Sequence, residues 1–85
     1  MRTPEMAITR DVINDFLCDL IAIPGRNVLS NEGFVLLADW SERQDWWQDF
    51  SKVHCMGADW RNSHMGDPYL FALTLFRFLL PLSDN

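Results

Sequence analysis

The segment Asp67-Pro68-Tyr69-Leu70-Phe71-Ala72-Leu73-Thr74-Leu75-Phe76-Arg77-Phe78-Leu79-Leu80-Pro81 carries its own start and stop signals. Asp67 suits a helix N-cap, and Pro68 suits the first helical position, where its missing N–H costs nothing. Pro81 cannot continue a helix, so a helix over 68–80 is predicted. Leu70, Phe71, Leu73, Leu75, Phe76, Phe78, Leu79 and Leu80 place apolar groups around almost its whole circumference, the mark of a helix covered on most sides. This should be the central element of the fold. At 1.5 Å per residue it spans roughly 20 Å, short of the ~30 Å hydrocarbon core of a bilayer, so a membrane span is not expected.

Upstream, Gly57 to Gly66 reads as an ordered loop that holds the large side chains Trp60, His64 and Met65. Such loops fold back over a core or carry binding residues. Before it, Ser41-Glu42-Arg43-Gln44 has the Ser-x-x-Gln form of a capping box and predicts a helix over 42–56 that stops at Gly57. Trp46, Trp47, Phe50, Val53 and His54 would form its apolar stripe, with Glu42, Asp45 and Asp49 sharing another face.

The run Phe34-Val35-Leu36-Leu37-Ala38 is too short and too uniformly apolar for periodicity to separate strand from helix. A helix over 31–40 is the better reading, because Ser30 or Asn31 can cap it and no second strand exists for pairing. The first helix is expected over 5–22, starting at Thr3-Pro4-Glu5 or capped by Thr9 and ended by Pro24-Gly25, with Arg26-Asn27 forming a turn. Ile8, Val12, Ile13, Phe16, Leu17, Leu20 and Ile21 give it a buried stripe. Beside that stripe Asp11, Asp15 and Asp19 recur every fourth residue.

These elements make an all-α fold: a small compact bundle of about four helices, forming one domain over 1–85, with the apolar C-terminal helix at its centre. A chain of 85 residues has apolar area for a single core. Its hydrophobic share of 48%, with four Trp and six Phe, argues against disorder.

Acidic residues outnumber Lys and Arg by twelve to seven, for a net charge of −5, which disfavours direct binding to nucleic acid or to anionic lipid. Cys18 and Cys55 are too few for a disulfide-stapled secreted scaffold, and Asn14, Asp15 and Asp19 interrupt the only apolar run that resembles a signal sequence. A reduced, cytoplasmic setting is expected.

His54, Cys55, Asp59 and His64 are residue types that ligate zinc, but the spacing lacks the two close ligand pairs of structural zinc sites. Cys55 with either histidine has the elements of a nucleophile and base, without enough chain to build a pocket and an oxyanion stabiliser. No phosphate-cradling glycine loop or nucleophile elbow is present, so neither an enzyme nor a cofactor is expected. A helix-turn-helix reading fails on charge, since the last helix carries Arg77 alone.

The surface points instead to a protein partner. Trp46 and Trp47 are adjacent, so one should pack inward and the other sit at the margin, and tryptophan is enriched at interface hot spots. Side chains four apart on a helix rise about 6 Å, close to the ~6.8 Å axial rise of two phosphates along one DNA strand. Asp11, Asp15 and Asp19, with Glu42, Asp45 and Asp49, can therefore imitate a phosphate backbone. The expected partner-binding set is these six carboxylates with Trp47 and Trp60. The expected role is a small acidic inhibitor or regulator of a larger protein or complex with a basic nucleic-acid-binding groove, the class to which phage-encoded inhibitors of host defence belong. The alternative is a structural subunit or homodimer that buries apolar surface against a copy of itself.

Overall fold

The computed structural model describes residues 8–23, 27–54 and 56–83, with the side chains of 82 and 83 outside that description. Among the described residues there are five helices and no strand: α1 (Arg10–Leu20), α2 (Asn31–Glu42), α3 (Trp47–Val53), α4 (Trp60–Met65) and α5 (Pro68–Ser83). The protein is an all-α bundle.

α5 lies at the centre. Along one side the Arg10 guanidinium lies 4.1 Å from the centre of the Tyr69 ring, and Phe16 meets Phe76 edge-on at 5.3 Å. Both contacts advance in the same chain direction, so α1 and α5 run side by side and parallel. On the other side Phe71 receives Phe34 from α2 at 5.4 Å and Trp60 from α4 at 5.0 Å, while Phe78 receives Phe50 from α3 at 5.2 Å. The core combines these rings with Ile13, Leu17, Val28, Leu37, Leu75 and Leu79. Full burial of each large apolar side chain contributes about 1.5–3 kcal/mol.

α1 begins at Arg10, with the Thr9 hydroxyl accepting the Val12 N–H at 3.2 Å. The start anticipated at Thr3-Pro4-Glu5 lies outside the described residues, as do Pro24, Gly25 and Arg26. The helix closes earlier than 22, on a turn made by Ala22 in the left-handed region at φ 55. The Ile23 N–H reaches the Cys18 carbonyl at 3.1 Å and the Ala22 N–H reaches that of Asp19 at 3.3 Å, the paired bonds of a Schellman motif. The chain then turns toward α2. The Asn14 side-chain oxygen takes the Val28 N–H at 2.9 Å, and the Asn27 side-chain oxygen takes that of Leu29 at 2.9 Å.

Residues 34–38 are helical, within an α2 capped by Ser30, whose hydroxyl accepts the Gly33 N–H at 3.0 Å. α2 runs to Glu42 rather than 40, and Ser41 is not the cap of a new helix. Phe34, Leu37, Ala38 and Ser41 fall at i, i+3, i+4 and i+7 and are all buried, so core packing carries the helix through the anticipated box. The Gln44 amide donates to the Trp40 carbonyl at 2.9 Å, closing α2 from beyond its end. The next helix is correspondingly shorter than 42–56: α3 starts at Trp47, without a side-chain cap, and ends at Val53.

Two further expectations are corrected. The anticipated loop at 57–66 contains α4, because Trp60 drives into the core at 8% exposure and the segment folds as a helical turn around that anchor. α5 continues through Pro81 to Ser83. A proline in a last turn removes only the bond its own N–H would make to the Arg77 carbonyl, and α5 ends two residues later. α5 is also less enclosed than its composition suggests. Leu70, Arg77, Leu80 and Pro81 are exposed, which leaves a strip of the helix facing outward.

Candidate docking surface

The fold separates the anticipated carboxylates into two groups. Asp11, Asp15 and Asp19 are all exposed along the outer face of α1, opposite the buried Ile13 and Leu17. Four residues of helix rise about 6 Å, so the three form an evenly spaced row along the helix. The packing of α1 on α5 fixes that face toward solvent.

The second row does not form. Glu42 ends α2, Asp45 lies in the turn that follows and Asp49 lies in α3, so the i, i+3, i+7 face expected of one helix is divided among three segments. Asp45 and Asp49 are exposed. Glu42 is engaged: its carboxylate takes the Arg61 guanidinium at 2.9 Å, and the same guanidinium bonds Asp39. The two hydrogen bonds that the guanidinium donates, to Glu42 first and to Asp39 second, push the Arg61 pKa above its ordinary value. This cluster ties α2 to α4. Neither Asp39 nor the pairing with Arg61 was legible beforehand, because the partners lie 19 and 22 residues apart with no pattern to link them.

The tryptophans pack more inward than a docking patch requires. Trp60 is a core residue between Phe34 and Phe71. Trp46 and Trp47 are both half-buried and flank Phe50, at 6.0 Å and 5.4 Å, so neither is wholly at the margin. Trp46 continues onto Trp40 and Phe78, and Trp47 onto Trp60 at 5.0 Å. Of the two tryptophans expected to meet a partner, Trp47 retains exposed surface.

Beyond α3 a cleft of about 160 Å³ opens between His54, Met56, Gly57, Asp59, Trp60, Ser63 and His64. The His54 ring lies against Phe50, tilted by 50° with ring centres 4.8 Å apart. His64 is held by its Nδ1, 2.8 Å from the Trp60 carbonyl oxygen, and stands edge-on to Trp60 and Phe71. The sequence singled out both histidines and Asp59 as types with chemistry, and the fold brings them to one cleft. Among the described residues, no three His, Cys, Asp or Glu side chains form a group that could hold a metal ion, and Cys55 lies outside those residues. No described helix is long and apolar enough to cross a membrane.

No protein-family model, curated protein or solved structure matches this chain.

Proposed function

We propose that this protein is a non-enzymatic interaction module that docks on a larger protein or complex with a basic groove, and that it inhibits or regulates that partner in the cytoplasm. The observation that carries the reading is the solvent-facing row of Asp11, Asp15 and Asp19 on α1, on a chain of net charge −5. Three carboxylates at about 6 Å intervals on a rigid helix match the spacing of a nucleic-acid backbone closely enough to occupy a groove built for phosphates. Charge complementarity of this kind governs encounter and orientation, while apolar contacts hold the complex. Trp47, Asp45 and Asp49 offer a smaller contact area at the start of α3.

The test is a tagged pull-down from a lysate of the native host or its natural target cell, run in parallel with an Asp11→Asn/Asp15→Asn/Asp19→Asn variant. A partner held by the wild type at low salt, released by moderate salt and lost in the variant supports the reading. Equal capture by both proteins removes the α1 face from it. A second reading, homodimerisation, is favoured by Leu70 at 49% and Leu80 at 38% exposure on α5, and a monomer mass in solution at micromolar concentration removes it.

A further inference from the structure

We infer that the cleft between the end of α3 and α4 receives an arginine side chain of the partner. The inference rests on the reading of a basic partner and adds a second, separate anchor to it. The cleft is lined by His54, Met56, Gly57, Asp59, Trp60, Ser63 and His64. None of these carries an ammonium or guanidinium group.

Three of its side chains, Asp59, Ser63 and His64, turn acceptors outward, and His54 has one acceptor nitrogen in its neutral form. With His64 Nδ1–H donating to the Trp60 carbonyl, the Nε2 of the neutral ring is a lone-pair acceptor. Asp59 accepts the Asn62 amide through one carboxylate oxygen, Oδ1, at 3.1 Å. The Ser63 hydroxyl donates its only proton to the Asp59 carbonyl at 3.2 Å, so what it offers outward is oxygen lone pairs. Several acceptors with a carboxylate among them suit a cation rich in donors.

Arginine fits better than lysine for two reasons. The guanidinium is planar, weakly hydrated and stacks on aromatic faces, and His54, His64 and Trp60 are among the residues that line the cleft. Its five donors can also engage several acceptors at once. The volume of about 160 Å³ is well below the roughly 300–1,000 Å³ of cavities that enclose whole small molecules, which leaves a side chain as the fitting size of ligand. The Arg61 guanidinium lies over the Trp60 ring, 5.7 Å from its centre, and does not itself line the cleft. Arg61, on the same helix, is engaged with Asp39 and Glu42, and Lys52 on α3 does not line the cleft.

The experiment titrates the isotope-labelled full chain with N-acetyl-arginine methylamide and follows the His54, His64 and Trp60 side-chain resonances by NMR. Saturable shifts confined to the cleft are expected, with a dissociation constant on the order of 10 mM, the range of one charge-assisted contact in water. The citrulline analogue, equal in shape but uncharged, should bind about two- to fivefold more weakly, and Asp59→Asn should weaken the arginine probe by a similar factor. Equal shifts from the citrulline probe, or no shift with the arginine probe at about 50 mM, several times the expected dissociation constant, overturn the inference. The two proposals fail separately. The Asp11→Asn/Asp15→Asn/Asp19→Asn variant should keep its response to the arginine probe, so a missing response with partner capture intact sinks the cleft alone. A normal response with capture unaffected by the α1 substitutions sinks the α1 face alone.

Discussion

Trp60 lies 5.0 Å from Phe71, ring centre to ring centre, and this contact joins the shortest helix to the central one. α4 has six residues, too few to be stable alone, so its order depends on the indole buried between Phe34, Phe71 and Trp47. Trp60→Ala should cost about 3–5 kcal/mol, and Trp60→Phe markedly less. Chemical denaturation followed by circular dichroism measures both. A loss below about 1 kcal/mol for the alanine variant would show that α4 is not anchored through this ring.

Gly33 faces a different constraint. A Cβ built there would stand 1.8 Å from the Asn27 carbonyl oxygen and 2.5 Å from the Val28 Cα, both backbone atoms that cannot swing aside. The approach lets the α1–α2 connection lie directly on the first turn of α2. Gly33→Ala should therefore destabilise by about 3 kcal/mol, although alanine is the better helix former. A variant as stable as the wild type in thermal unfolding would contradict this close approach.

Ala22 occupies the left-handed position that closes α1, where a Cβ is unfavourable and glycine is at ease. The site is exposed, so removal of the methyl group opens no cavity in the core. The strain of about 1–2 kcal/mol exceeds the extra chain entropy glycine brings to the unfolded state. Ala22→Gly should raise stability by about 0.5–1 kcal/mol, read as a shift in the denaturation midpoint at constant slope. A lower midpoint would mean that α1 does not end on this turn.

Ser41 is fully buried, and its hydroxyl oxygen has no hydrogen-bond partner among the described residues. An unmet hydroxyl in an apolar setting costs about 1–3 kcal/mol. Alanine keeps the volume nearly constant and has the higher helix propensity. Ser41→Ala should leave stability unchanged or raise it by about 1 kcal/mol, measured by the same denaturation. A loss of more than about 1 kcal/mol would show that the hydroxyl is bonded in solution.

The same serine shows where sequence reading stopped short. Helix class and the central place of α5 were legible, because apolar spacing and proline punctuation are local signals. Ser41-Glu42-Arg43-Gln44 is an equally local signal, and it lost to tertiary packing: the buried stripe from Phe34 extends to Ser41 and holds it inside α2. Trp60 was visible as a large residue between glycines, but the ring it would meet lies eleven residues further on, in another helix. The α1 carboxylate row was legible from its period of four. The division of Glu42 from Asp45 and Asp49 was not, since it followed from the misplaced start of α3. His54 and His64 were noticed as residue types, and only the fold brings them to one cleft.

The central claim is that α1 docks by its charge. With the captured partner purified, its affinity for the wild-type chain and for the Asp11→Asn/Asp15→Asn/Asp19→Asn variant should be measured across a salt series, with circular dichroism confirming that both fold alike. The account predicts weaker binding by the variant at low salt, a flatter dependence of affinity on salt, and convergence of the two proteins at high salt. Equal affinity and equal salt dependence would contradict it.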